Sequence, residues 1–230
     1  MSPISGSHKA ENVGVVIVED EDLFRDLLRI VLLQQEGIEV LGSFAEAESA
    51  LAAIPDLRPQ VAILDIQLGP GLNGIQLGLR LRRRLPGLGI VLLSNLDDPV
   101  FLSSLREEEI AGWSYLLKRS VRDAGALVRA IRGAAEGRMV LDEAVVRGRQ
   151  PRTDGVLSGL TPRQMKILSL MAQGLGNAAI AERLVLSEKT VENHINGLYQ
   201  QLDLQGEGSS THTRVKAVVL YLLESRRGRR

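Results

Sequence analysis

Apolar residues follow two rhythms along this chain. Up to about residue 136, short continuous apolar runs alternate with stretches of helical spacing. Val13 to Val18, Ile38 to Leu41, Val61 to Leu64, Ile90 to Leu93 and Ser114 to Leu117 are the runs, rich in β-branched and large apolar residues and bounded by polar or turn residues. Between them Leu23, Leu27, Leu28 and Val31 recur with a helix period up to Gly37, Glu46 to Ile54 ends at Pro55, and Ile75 to Leu85 ends at Pro86. Two more helices are expected, one from about Pro99 and one from about Asp123 to Glu136. A strand that is apolar at every position suits a sheet covered on both faces. Five strands alternating with five helices predict an α/β domain built on a doubly wound, five-stranded parallel sheet.

Beyond residue 159 the rhythm is helical only. Thr161 is an N-cap with Pro162 at the first helical position, Met165, Ile167, Leu168 and Met171 form an apolar face, and Gly174 closes the helix. Asn177 caps a short second helix, Ala178 to Leu184; Val185 and Leu186 form a tight turn; Ser187 caps a third helix reaching about Leu202. Two short helices joined by a tight turn predict a small all-α helix-turn-helix domain. The expected organisation is a disordered leader at 1–12, the α/β domain at 13–136, a linker at 137–158, the helical domain at 159–225 and a disordered basic tail at 226–230. The linker has little period beyond one short helix within Met139 to Val146, so the rest reads as a mobile tether.

Composition sharpens this division. The 230 residues contain no cysteine, which excludes a disulfide framework and favours a reducing, cytoplasmic setting. No run approaches the roughly 18 apolar residues of a membrane span, and the first residues lack the apolar core of a signal peptide, so no membrane association is expected. Residues 1–137 carry 19 acidic and 14 basic side chains, and residues 138–230 carry 9 and 14, so a net charge of zero hides halves of −5 and +5. A basic second half suits a polyanion, although solvated surfaces often carry an excess of this size.

The candidate chemistry stands at the strand ends: Glu19 and Asp20 after the first strand, Asp65 after the third, Ser94 after the fourth and Lys118 after the fifth. In a parallel sheet these ends share one edge, the usual place for a site. Three converging carboxylates repel one another, and one Mg²⁺ with one lysine neutralises them. Oxygen ligands without His or Cys suit that hard cation. The set can accept a phosphoryl group, with Asp65 as nucleophile, the metal bridging it to a phosphate oxygen, and Lys118 and the Ser94 hydroxyl taking up the added charge. Glu21 and Asp22 read better as first-turn residues favoured by the helix dipole, and the run Arg80, Arg82, Arg83, Arg84 as a solvated helix end.

Glu19-Asp20, Asp65, Ser94 and Tyr115-Leu116-Leu117-Lys118 resemble, in order and spacing, the receiver domain of two-component response regulators. The resemblance implies a flavodoxin-like fold and Mg²⁺ held by Glu19, Asp20, Asp65 and the backbone carbonyl of Gln67. It further implies phosphorylation of Asp65 by a histidine kinase, and a switch in which Ser94 turns toward the phosphoryl group while the Tyr115 ring moves into the space left. The loop Ile66 to Gly74 is about one residue longer than is usual in that family. A hydrolase of the haloacid-dehalogenase type needs a second aspartate two residues past the nucleophile, where Gln67 stands, so an enzyme is not expected.

In the third helix of the second domain, Val191, Ile195, Leu198 and Leu202 form the stripe expected to be buried, with Lys189, Asn193, Asn196 and Gln200 opposite. Asn reads adenine and Lys holds phosphate or guanine, so this is a candidate DNA face, although a plain solvent face has the same pattern. Leu160 to Gln164, Gly174 to Asn177, Ile180 to Leu184 and Ser187 to Val191, with His194, resemble the LuxR-type DNA-binding domain of the NarL/FixJ subfamily. The resemblance puts Glu192, Asn193 and Asn196 at groove-facing positions and Thr190 near the backbone or packing edge. Glu192 and Asn196 replace positions often basic in that family, which shifts phosphate contact toward Arg163, Lys189, Arg214 and Lys216. Residues 205–210 form a longer loop than usual. Val215, Val218, Val219 and Leu222 then match a family dimer surface or cap the domain's own core. Together the two resemblances imply a response regulator that binds promoter DNA as a homodimer when phosphorylated; the alternative is a DNA-binding protein whose first domain is an interaction platform independent of phosphate.

Overall fold

The computed structural model describes residues 12–96, 110–147, 149–151, 155–204 and 210–227. The expected leader up to residue 11, the helix from about Pro99, most of the 205–210 loop and the last three tail residues lie outside the described residues. The first half is built from β1 (Val13–Val18), α1 (Asp22–Leu33), β2 (Ile38–Phe44), α2 (Ala47–Leu57), β3 (Val61–Asp65), α3 (Gly74–Arg84), β4 (Gly89–Ser94), β5 (Trp113–Leu117) and α4 (Ala124–Ala135). The strands pair in parallel in the order β2-β1-β3-β4-β5, and β6 (Val140–Leu141) adds a sixth beyond β5.

That sixth strand corrects the five-stranded expectation and takes the first part of the stretch Met139 to Val146, where one short helix was expected. Val140 and Leu141 pair with Ser114 and Tyr115, and Met139, Val145 and Val146 are buried. Two apolar residues among Arg and Gly carry too little period to be seen as a strand; burial against α4 and the second half orders them. The four-residue helix α5 (Glu143–Val146) follows, then β7 (Arg149–Pro151), which pairs antiparallel with β8 (Ser225–Arg227). The backbone of Arg226 and Arg227 is therefore part of a strand, contrary to the expected disorder of the tail.

The sheet's two faces separate two apolar layers. Val16, Val18, Ala62, Leu64, Ile90 and Leu92 lie in one cluster, and Val15, Ile17, Val61, Ile63, Val91 and Leu93 in the other, as the alternation of side chains along a strand requires. Helix α1 seals the second layer with Leu28 and Leu32, while Leu23, Leu27 and Ile30 are exposed, so half of the apolar face expected for this helix is on the surface.

Helix α2 runs through Pro55 to Leu57 rather than stopping before it. A proline there leaves the carbonyl four residues earlier without its helical donor. Arg84 supplies one, its Nη1 lying 3.2 Å from the Leu51 oxygen. Arg82 likewise reaches the Ala111 carbonyl at 2.7 Å, so this basic run is partly committed to holding backbone.

The second half contains α6 (Pro162–Ala172), α7 (Asn177–Leu184), α8 (Glu188–Gln201) and α9 (Ser210–Glu224). Thr161 caps α6 in a reciprocal box with Gln164, and Ser187 caps α8 by accepting from the Thr190 N–H. Gly176, not Asn177, occupies the cap position of α7, and the Asn177 side chain accepts from Arg214 instead. Gly174, at φ +80°, closes α6 against Val140 of the sheet; a Cβ there would come within 2.6 Å of the valine's Cγ2. This close approach puts the helical domain against the edge strand.

Candidate functional site

At the carboxyl edge of the sheet, β1, β3 and β5 deliver Glu19, Asp65 and Lys118 to one point. All three are buried, at 0, 3 and 8 % exposure. The Lys118 ammonium lies 3.0 Å from Glu19 Oε1, 3.0 Å from Asp65 Oδ2 and 3.3 Å from Glu21 Oε1. It also sits 4.8 Å from the centre of the Phe24 ring. Glu21, expected only to start a helix, provides no cap hydrogen bond there and turns to this lysine. The sequence carries no signal for that choice, because an acidic residue at a helix start is already favoured by the dipole.

Burial sets the electrostatics. Loss of hydration raises the Glu19 pKa to about 7; the hydrogen bond from Lys118 opposes this and the Asp65 charge adds to it. Burial pulls Lys118 down, but its hydrogen bonds to Asp65 and Glu19 outweigh that and hold it above the ordinary lysine range. The lysine is thus a fixed cation.

The chain residues fit a hard divalent ion. Glu19, Asp20 and Asp65 each offer an oxygen, and these atoms lie within 4.8 Å of one another. Among the described residues Glu19 Oε2 is buried without a hydrogen-bond partner, an arrangement that is costly unless a cation satisfies it. Asp20 is exposed and accepts from the Gly69 N–H at 3.2 Å, so the loop after β3 closes onto the same edge. Gln67, whose carbonyl was expected as a ligand, donates its N–H to Asp65 Oδ1 at 3.1 Å. The loop returns to α3 at Gly74, where a Cβ would stand 2.0 Å from the Asp65 carbonyl oxygen.

Ser94 and Tyr115 both bind the backbone of one residue, Leu96. The Leu96 N–H donates to Ser94 Oγ at 3.0 Å, and the Tyr115 hydroxyl donates to the Leu96 carbonyl. The tyrosine is 2 % exposed, so its ring is already inside in this conformation.

The second candidate site is the surface of α8. Val191, Ile195, Leu198 and Leu202 are buried, and Lys189, Asn193, Asn196 and Gln200 are exposed. Lys189 pairs with Glu192 at 3.1 Å, while Thr190 is half-buried beside its cap. Arg163 is half-buried against the Leu184 carbonyl. Arg214, a candidate for phosphate contact, is instead held by the Leu175 carbonyl and Asn177, and burial lowers its pKa. Lys216 is exposed on α9.

Val215, Val218, Val219 and Leu222 are all less than 9 % exposed and belong to the same core cluster as Ile167, Leu168 and Leu198. In this conformation they cap the domain's core. Lys216, half-buried Leu220 and Leu223, which is 46 % exposed, form the outward stripe of the same helix. A groove of about 540 Å³ separates the end of the first half, at Glu136 and Arg138, from Glu192, Asn196 and Tyr199 of α8.

Residues 15–132 match the family model described as response regulator receiver domain, and residues 158–214 match that of bacterial regulatory proteins, luxR family. The chain is 33 % identical to the DNA-binding transcriptional activator DevR/DosR of Mycobacterium tuberculosis over 84 % of its length and 89 % of that protein. It is 30 % identical to the nitrate/nitrite response regulator protein NarL of Escherichia coli K12, over 85 % and 91 %. A solved structure of the Salmonella typhimurium RcsB response regulator covers 90 % of this chain at 25 % identity, with 98 % of that chain matched and a TM-score of 0.51. A further structure, of an RcsB–DNA complex, matches 91 % of this chain and 100 % of its own at 25 % identity and a TM-score of 0.52.

Proposed function

The chain belongs to the response regulators that join a receiver to a LuxR-family DNA-binding domain, and on that premise we propose that Asp65 is the phosphoacceptor controlling its DNA binding. The observation that carries this is the buried set around Lys118, in which one ammonium holds both Asp65 and Glu19 at 3.0 Å. Asp65 attacks the phosphorus of a sensor kinase's phosphohistidine with one carboxylate oxygen; the O–P bond forms as the N–P bond breaks, and the kinase's histidine imidazole leaves. Lys118 stays within reach of the new charge, and the Ser94 hydroxyl joins it by giving up the Leu96 N–H. Glu19, Asp20, Asp65 and the Gln67 carbonyl would hold Mg²⁺, which supplies charge neutralisation at the phosphoryl oxygens.

The DNA face is the exposed side of α8. Asn193 and Asn196 contact base edges, and Lys189 leaves Glu192 for a phosphate, with Arg163 and Lys216 as further backbone contacts. Arg214 first has to leave the Leu175 carbonyl and Asn177 before it can join them. Glu136 and Arg138 line the same groove as Asn196, and on this reading they obstruct a duplex there. Phosphorylation releases this arrangement, and two copies pair on neighbouring half-sites in the cytoplasm. Pairing through Val215, Val218, Val219 and Leu222 would require unpacking the core, so Lys216, Leu220 and Leu223 are the better dimer surface.

The test is genome-wide footprinting of the wild type beside Asp65→Asn. The reading requires promoter sites occupied by the wild type under phosphorylating conditions and vacated by the variant. Identical occupancy would leave a DNA-binding protein without this control.

A further inference from the structure

The edge of the receiver sheet carries a buried carboxylate that the phosphorylation chemistry does not use. Asp142, directly after β6, is 3 % exposed. Its N–H donates to the Tyr115 carbonyl at 2.8 Å, and its Oδ2 accepts from the Leu117 N–H at 3.0 Å. The other oxygen, Oδ1, accepts from the Ala144 N–H at 2.8 Å and so starts α5. One residue thus grips β5 on both sides of Leu116, at the candidate switch tyrosine and at the residue before Lys118, while anchoring the next helix.

The far end of α5 is tied to α9. The Tyr221 hydroxyl donates to the Val146 carbonyl at 3.3 Å. Arg149 Nε donates to the Val145 carbonyl at 3.0 Å, and its Nη1 reaches the Leu222 and Ser225 carbonyls at 2.9 and 3.2 Å. Beside this packed route the two halves face each other across a cleft of about 680 Å³, lined by Arg119, Asp123 and Arg129 on one side and Glu182 and Arg183 on the other. Burying a carboxylate is costly unless its oxygens are satisfied. Here both oxygens accept from backbone donors that belong to different elements, so moving either element strains the other.

We propose that Asp142 is the positioning residue through which the state of the phosphorylation pocket reaches α9: a shift of β5 at Tyr115 or Lys118 is passed through its carboxylate to α5 and on to Tyr221. This rests on phosphorylation of Asp65 controlling DNA binding. Asp142→Asn keeps the shape but presents an NH₂ to one of the two backbone donors, and Tyr221→Phe removes the hydroxyl at the far end with little change in volume.

The experiment uses the full chain and measures two quantities for the wild type and each variant. One is the rate of phosphorylation by acetyl phosphate with Mg²⁺; the other is the ratio of affinities for a footprinted promoter fragment with and without phosphorylation. The wild-type ratio is expected to be about tenfold or more. In Asp142→Asn it falls to near one while the phosphorylation rate stays within about twofold of wild type, a split that a general loss of stability does not produce. If Asp142→Asn shows no cooperative unfolding transition, Tyr221→Phe decides by the same criterion. A wild-type ratio retained in the deciding variant overturns the role of Asp142 alone. A wild-type protein whose affinity does not respond to phosphorylation overturns the phosphorylation reading, and this inference with it.

Discussion

The acidic pocket and the exposed side of α8 are both sets of polar side chains, yet the protein holds them in opposite ways. In the pocket Glu19, Asp65 and Lys118 are buried and locked to one another. On α8, Asn193, Asn196 and Lys189 stand in water, and the pairing of Lys189 with Glu192 is itself exposed. A small group transferred to one atom needs donors already in place, since ordering them during the reaction would add to its barrier. A duplex offers many phosphates and base edges, so a reading face can order its side chains on binding. The two regions should therefore fail differently: changes in the pocket cost stability and chemistry together, whereas changes on α8 cost binding alone.

The sharpest test of that contrast is Lys118→Met. It leaves Glu19 and Asp65 facing each other without their cation, and breaking a buried pair in this way costs about 3–5 kcal/mol. Urea unfolding of the full chain checks the loss, and a variant as stable as the wild type would mean that the lysine is not the pocket's electrostatic support. Gly74→Ala comes next. Its Cβ would overlap the Asp65 carbonyl at 2.0 Å, and relief by backbone movement costs about 3 kcal/mol and displaces the phosphoacceptor. Thermal unfolding and phosphorylation rate should fall together.

On the other side of the comparison, Asn193→Ala is expected to change stability by no more than about 0.5 kcal/mol and to weaken promoter binding by about 1–3 kcal/mol. Calorimetry and DNA titration separate the two; a change in stability without one in affinity would reverse the contrast.

The smallest effect concerns pH. Glu19 has a folded pKa of about 7, above its ordinary value of 4.5, so the metal-free folded state keeps a proton that the unfolded chain releases. That contribution is fully present below about pH 4.5 and is lost as pH rises through about 7. Mg²⁺ must displace the proton to bind. Added Mg²⁺ should therefore raise the melting temperature by a few degrees at pH 8 and by less at pH 5, where the carboxyl is protonated. Melting curves with and without Mg²⁺ at both values check the sign.

The pocket was legible because continuous apolar runs mark buried parallel strands, and a carboxylate, serine or lysine directly after such a run must fall at the sheet edge. Gly74 and Glu21 were not legible in the same way: a glycine's need for close approach and a glutamate's choice of partner depend on what arrives from elsewhere in the chain. The α8 face followed from helical spacing, since its buried stripe is also its own periodic signal. For α9 the spacing of Val215, Val218, Val219 and Leu222 was legible too, but an apolar stripe reports burial without naming what buries it. Strand β6 was hidden by its length, and Asp142 with it. Two residues have no period, and a carboxylate followed by Glu143 looks like any helix cap until Leu117 is found beside it.

The most direct measurement is the intact mass, with peptide mapping, of the full-length protein incubated with Mg²⁺ and acetyl phosphate. The account predicts a gain of one phosphoryl group, located on Asp65, that is absent without the metal and in Asp65→Asn. A protein that gains no covalent phosphate, or gains it at another residue, would contradict the claim that this pocket is where the signal enters.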